Sequence, residues 1–251
     1  MRSGNPVLKE STFLDLGSGS VVSRDSGAMT LNGTVSKTGI LLLLCMVTAT
    51  FAWMQVSTPA GIANAGLYVW GGLIGGLVLA MVTVFKKEWA PISAPLYALV
   101  EGFFLGAISA MYEARFGGIV FQAVLLTFGT LFALLFAYRS GLIKATENFK
   151  LGVVAATGGI ALVYLATIVL GFFGINIPMI HDNGIVGIGF SLFVIVIAAL
   201  NLVLDFDFIE RGVEQGAPKY MEWYGAFGLM VTLVWLYIEF LRLLSKLQSR
   251  N

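Results

Sequence analysis

Seven runs of about 20 predominantly apolar residues divide this chain, and about 20 residues of helix is the length that crosses the roughly 30 Å hydrocarbon core of a bilayer. They extend from about Val35 to Met54, Leu67 to Phe85, Ala90 to Tyr112, Gly118 to Tyr138, Leu151 to Gly174, Gly184 to Phe206 and Trp223 to Ser245. The runs are continuous and lack the period-two alternation of a membrane barrel strand. The sequence therefore predicts an all-α polytopic membrane protein with seven transmembrane helices. Composition agrees: 12% of residues are charged, half the roughly 25% of a soluble domain.

Residues 1–34 differ in character, with the Ser/Gly-rich stretch LGSGSVVSRDSG at their centre. No compact apolar stretch follows a basic start, so they predict a flexible cytoplasmic tail and not a cleavable signal peptide. The seven-helix domain then occupies residues 35–251. Basic residues set the orientation. Arg2, Lys9, Arg24 and Lys37 lie before or at the first span, Lys86 and Lys87 in the second connection, Arg139, Lys144 and Lys150 in the fourth, and Arg211 and Lys219 in the sixth. The opposite side has Arg115 in its loops, so the N-terminus is expected in the cytoplasm. Seven full spans then place Arg242, Lys246 and Arg250 on the far side, against the same bias.

Gly71 and Gly75, Gly72 and Gly76, and Gly102 and Gly106 repeat at four-residue spacing, which lays bare backbone along one helix face for close packing. Helices one to three and four to six run in opposite orientations, an arrangement compatible with two three-helix units around a central seventh helix.

Ionisable groups inside the spans are costly and ask for a reason. Glu101 lies about 16 Å into the third span, near the midplane. Its i−4 and i+4 residues are Tyr97 and Leu105, so it needs a partner on another helix, a water-filled cavity or a proton. Asp205 and Asp207 close the sixth span, with Asn201 one turn before Asp205 on the same face. Asp207, Glu210 and Arg211 read as the solvated end of that helix. In the seventh span, Glu239 and Arg242 have the i,i+3 spacing of a helical ion pair.

Enzyme chemistry has little to stand on. No lysine sits mid-span for a retinal Schiff base, the single histidine, His181, falls in the loop IPMIHDNG, and Gly189-Phe190-Ser191-Leu192-Phe193 lacks the second glycine of a nucleophile elbow. One cysteine, Cys45, permits no internal disulfide, and a net charge of +1 implies no nucleic-acid partner.

The last two spans resemble the Bax inhibitor family, the transmembrane Bax-inhibitor-motif proteins. Asp205 followed four residues later by Ile209, and the run Leu236-Tyr237-Ile238-Glu239, carry the resemblance, which extends over about Val35 to Leu247. Glu239 stands where the family usually has Asp. The resemblance implies a pH-regulated Ca²⁺ leak channel, with Ca²⁺ as permeant ion and no resident cofactor. It also implies a carboxyl pair, Asp205 and Glu239, that shares a proton and offers oxygens to Ca²⁺, with Asp207, Arg242 and Asn201 in support. With 34 residues between them, the two acids meet only if the seventh helix begins a turn or two below the membrane, inside ERGVEQGAPKYMEWYGAF. From topology, Glu101 is expected to line the same aqueous path.

Two other classes stay open. One is a non-conducting membrane protein that regulates a membrane protease or another membrane partner. The other is a proton-coupled secondary transporter. The lone cysteine and the absence of a signal peptide fit a bacterial inner membrane, and an organelle membrane fits as well.

Overall fold

The computed structural model describes residues 27–58, 61, 65–174 and 184–250. Residues 1–26 of the expected tail, and His181, lie outside the described residues. Seven long helices follow one another: α1 (Leu31–Val56), α2 (Ala65–Phe85), α3 (Ala90–Arg115), α4 (Ile119–Arg139), α5 (Glu147–Phe172), α6 (Ile185–Glu214) and α7 (Met221–Gln248), with a 3₁₀ turn at Lys87–Trp89. All seven are long and apolar enough to cross a membrane, and no strand occurs among the described residues. This is an integral membrane protein of all-α architecture.

Several helices outrun their apolar windows. α1 begins at Leu31, inside the segment expected as tail, because Thr30 caps it: the Thr30 hydroxyl accepts from the Gly33 backbone N–H at 3.0 Å. Thr146 caps α5 in the same way, with Glu147 favourably placed in the first turn. α6 continues two turns past its apolar run and stops at Gly216, whose φ of 66° lies in the left-handed region. The next N–H, of Ala217, returns to the Gly212 carbonyl at 2.9 Å and closes the helix end.

The chain divides into two compact units. Of the described residues, one contains 27–120 and Phe208–Val231, and so α1, α2, α3, the end of α6 and the first part of α7. The other contains Phe121–Asp207 and the chain from Thr232 onward, and so most of α4, with α5, most of α6 and the rest of α7. The seventh helix contributes to both units, and so, unlike in the expected division into two three-helix units, does the sixth.

In the α1–α3 unit the glycine repeats make the contacts. Gly72 and Gly76 of α2 lie against Phe104 and Glu101 of α3, where an added Cβ would collide. Gly102 and Gly106 of α3 lie against the backbone of α1 at Cys45 and Ala49. The neighbouring Gly71 faces open space and takes no part. Residues at four-residue spacing share a face, so each pair lets one helix approach another almost backbone to backbone. Leu67, Leu77, Phe121, Phe136 and Leu162 point outward and are more than half exposed, the surface that lipid tails cover.

Candidate functional site

The polar groups of the α5–α7 unit form a ladder. α5 carries Lys150, Thr157 and Tyr164, spaced by seven residues, and α7 carries Thr232, Glu239 and Lys246 at the same spacing. Seven residues are nearly two helical turns, so each set forms one stripe rising about 10 Å per step. α6 supplies Ser191, Asn201, Asp205 and Asp207.

Five layers result. At the end of the unit where α6 gives way to α7, the Lys150 ammonium pairs with Asp207 at 2.7 Å. Next, the Thr232 hydroxyl donates to Asp205 Oδ2 at 2.6 Å, with Asp205 1% exposed. One turn along α6, the Asn201 amide donates to Thr157 Oγ1 and to the Ile197 carbonyl, both at 2.8 Å. In the fourth layer Glu239 Oε1 accepts from the Tyr164 hydroxyl at 2.9 Å and from Arg242 at 2.7 Å. Arg242 also donates to the Tyr164 oxygen at 2.7 Å. In the last layer the buried Lys246 ammonium donates to the Gly187 carbonyl and the Ser191 hydroxyl, each at 2.9 Å.

Helix register explains the order. Asp205 meets Thr232 and Ser191 meets Lys246; fourteen residues back along α6 match fourteen forward along α7, as two antiparallel helices in constant register require. From Asp207 to Ser191 the rise along α6 is about 24 Å, most of a hydrocarbon core. Apolar packing closes the flanks: Ile160, Val194 and Ile197 form a core with Ala156, Phe190, Leu200 and Trp235 around it. Within this ladder one buried side-chain oxygen, Glu239 Oε2, has no hydrogen-bond partner among the described residues.

A model of the family described as Bax inhibitor 1 like matches residues 5–249, nearly the whole chain. The chain belongs to that family. A search of curated proteins finds no match. Asp205, which carries the Bax inhibitor resemblance on α6, sits inside the ladder of the α5–α7 unit.

α7 begins at Met221, inside the predicted insertion, and the two acids, Asp205 and Glu239, accept hydrogen bonds from different residues. Asp205 is matched to Thr232, seven residues and about 10 Å before Glu239 along α7, while Glu239 Oε1 is taken by Tyr164 and Arg242. No group of three or more His, Cys, Asp or Glu residues among the described residues is arranged to hold a metal ion. Asp207 is also more than a solvated helix end, since it pairs with the buried Lys150. The i,i+3 pair of Glu239 and Arg242 forms as its spacing predicts.

Glu101 belongs to the other unit. It is 7% exposed, lies against Gly76 and near Tyr97 and Cys45, and has no hydrogen-bond or ion-pair partner among the described residues. Spacing alone missed Thr157, Tyr164, Thr232, Ser191 and the buried lysines Lys150 and Lys246. For all but Ser191 the signal was present: two heptad stripes of polar side chains on otherwise apolar helices.

Proposed function

We propose that this protein is a proton-regulated Ca²⁺ leak, with the α5–α7 ladder as its ion path and Asp205 as its sensor. The observation that carries the reading is the ladder: polar layers follow one another over about 24 Å, with apolar packing beside them at Ile160, Val194 and Ile197. An ion or proton crossing the membrane needs such a file of polar groups. Asp205 and Glu239 offer hard oxygen ligands at two separate levels, suited to a cation that moves from one to the next. Ionised Asp205 attracts a divalent cation and protonated Asp205 does not, so flux falls on acidification. Glu101 is a second candidate acid, in the other unit, where a buried carboxyl without a partner calls for a proton or a cation. Ca²⁺ acts as permeant ion and not as resident cofactor, and no enzymatic step is invoked. The membrane we assign is a bacterial inner membrane, with the N-terminus in the cytoplasm; a reporter fused to either terminus tests that orientation.

Purified protein in liposomes, loaded with a Ca²⁺ dye and assayed from acidic to neutral pH, tests the leak. Wild type should pass Ca²⁺ in a pH-dependent way, and Asp205→Asn should flatten the dependence. A second reading is favoured by the cations Arg242 and Lys246 in the ladder, which oppose Ca²⁺ entry. In that reading the protein does not conduct and instead regulates a membrane protease or another partner. Absence of flux in every variant at every pH favours it.

A further inference from the structure

Lys246 is 4% exposed, and its ammonium sits between a backbone carbonyl, that of Gly187, and a hydroxyl, that of Ser191. Carbonyl and hydroxyl oxygens are what a partly dehydrated metal cation takes in place of its water. Two turns back on the same stripe of α7 lies Glu239, whose buried Oε2 has no hydrogen-bond partner among the described residues. The ladder thus ends in an oxygen-lined cation site filled by a cation tethered to the protein, with an unused carboxylate oxygen behind it. An anchoring lysine accounts for the first feature and leaves the second unexplained.

We propose that the Lys246 ammonium is a built-in plug: it occupies, at Gly187 and Ser191, a site for a small inorganic cation, and conduction requires it to leave. Glu239 Oε2 is the ligand that receives the cation once the plug is out. The proposal rests on the reading of the ladder as an ion path and names how that path is closed. A single positive charge opposes a divalent ion about twice as strongly as a monovalent one at the same distance. Removing it therefore raises Ca²⁺ flux more than K⁺ flux, a change in selectivity that loss of a structural anchor does not produce.

The test is Ca²⁺ and K⁺ flux in proteoliposomes of wild type, Lys246→Gln and Lys246→Arg. Lys246→Gln should raise Ca²⁺ flux about tenfold or more, with a smaller gain for K⁺, while Lys246→Arg keeps the charge and should not show that gain. Adding Glu239→Gln to Lys246→Gln should cancel the gain. In Lys246→Cys, a methanethiosulfonate bearing an ethylammonium group should return flux towards wild type, and its neutral methyl counterpart should not. Wild-type protein, with Cys45 in place, reports any background reaction. If Lys246→Gln does not fold, Ser191→Ala carries the test: it removes one acceptor, keeps the charge and should raise flux by a smaller factor. Wild-type flux that neither Lys246→Gln nor Ser191→Ala changes overturns the plug and leaves the leak standing. No flux in wild type or in any variant overturns the leak itself.

Discussion

The two units solve helix packing in opposite ways. In the α1–α3 unit, Gly102 and Gly106 press α3 against α1, and Gly72 and Gly76 press α2 against α3. Backbones come close at these glycines, and among the described residues the polar side chains between the helices are few and short-reaching, as where Thr83 of α2 donates to Ser93 of α3 at 2.7 Å. In the α5–α7 unit the long side chains of Lys150, Tyr164, Arg242 and Lys246 reach between helices and are joined by hydrogen bonds, and the glycines of α5, Gly152, Gly158 and Gly159, face open space. Lipid tails give helices no hydrophobic reason to associate, so contact must come either from close packing or from polar bonds. This chain assigns one device to each unit. Close packing dominates the first unit and polar bonds the second.

Substitutions at glycine break the comparison with the largest effect. Gly106→Val places its side chain in the Ala49 backbone, and Gly102→Val in the Cys45 carbonyl and Thr48 hydroxyl. Backbone cannot step aside, so each should cost about 3 kcal/mol or prevent folding. Gly158→Ala, with nothing nearby, should stay within about 0.5 kcal/mol of wild type. Unfolding in detergent measures both, and equal effects in the two units would end the distinction.

Arg242→Gln should come next, at about 2–3 kcal/mol. It leaves the buried Glu239 carboxylate without its cation, although the partly exposed Arg242 gives solvent some access to the gap. Glu239→Gln in the same chain should restore most of the loss, which a double-mutant cycle reads out. Thr232→Val removes the donor to Asp205 Oδ2 at nearly constant volume and should cost about 1–2 kcal/mol. A neutral result would show that Asp205 does not depend on that bond. Smallest of the four, Gly76→Ala meets the carboxylate tip of Glu101 and the edge of the Tyr97 ring, not backbone. That tip can swing away, and about 1 kcal/mol is expected.

How much of this was legible in the sequence differs between the two devices. The spans follow from hydropathy alone, and the Gly72/Gly76 and Gly102/Gly106 contacts from four-residue spacing. Helix ends were less visible: α5 starts at Glu147 and α6 runs on to Glu214, because polar turns of helix outside the hydrocarbon look like loop to a hydropathy window. The Glu239–Arg242 pair was readable because both partners share one helix. The partners of Asp205 and Asp207 were not, since Thr232 and Lys150 lie 27 and 57 residues away and only tertiary register brings them in. The family resemblance pointed to Glu239 as the mate of Asp205, whereas the Asp205 carboxylate accepts from an uncharged residue, Thr232. The spacing Lys150, Thr157, Tyr164 and Thr232, Glu239, Lys246 would have been the better guide.

Ca²⁺ flux through purified protein in liposomes, followed from acidic to neutral pH for wild type and Asp205→Asn, decides whether the polar unit conducts. The account predicts flux that falls on acidification in wild type and loses its pH dependence in Asp205→Asn; Glu101→Gln, run alongside, reads the acid of the other unit. Flux whose pH dependence survives Asp205→Asn would contradict the assignment of the path and sensor to the α5–α7 ladder.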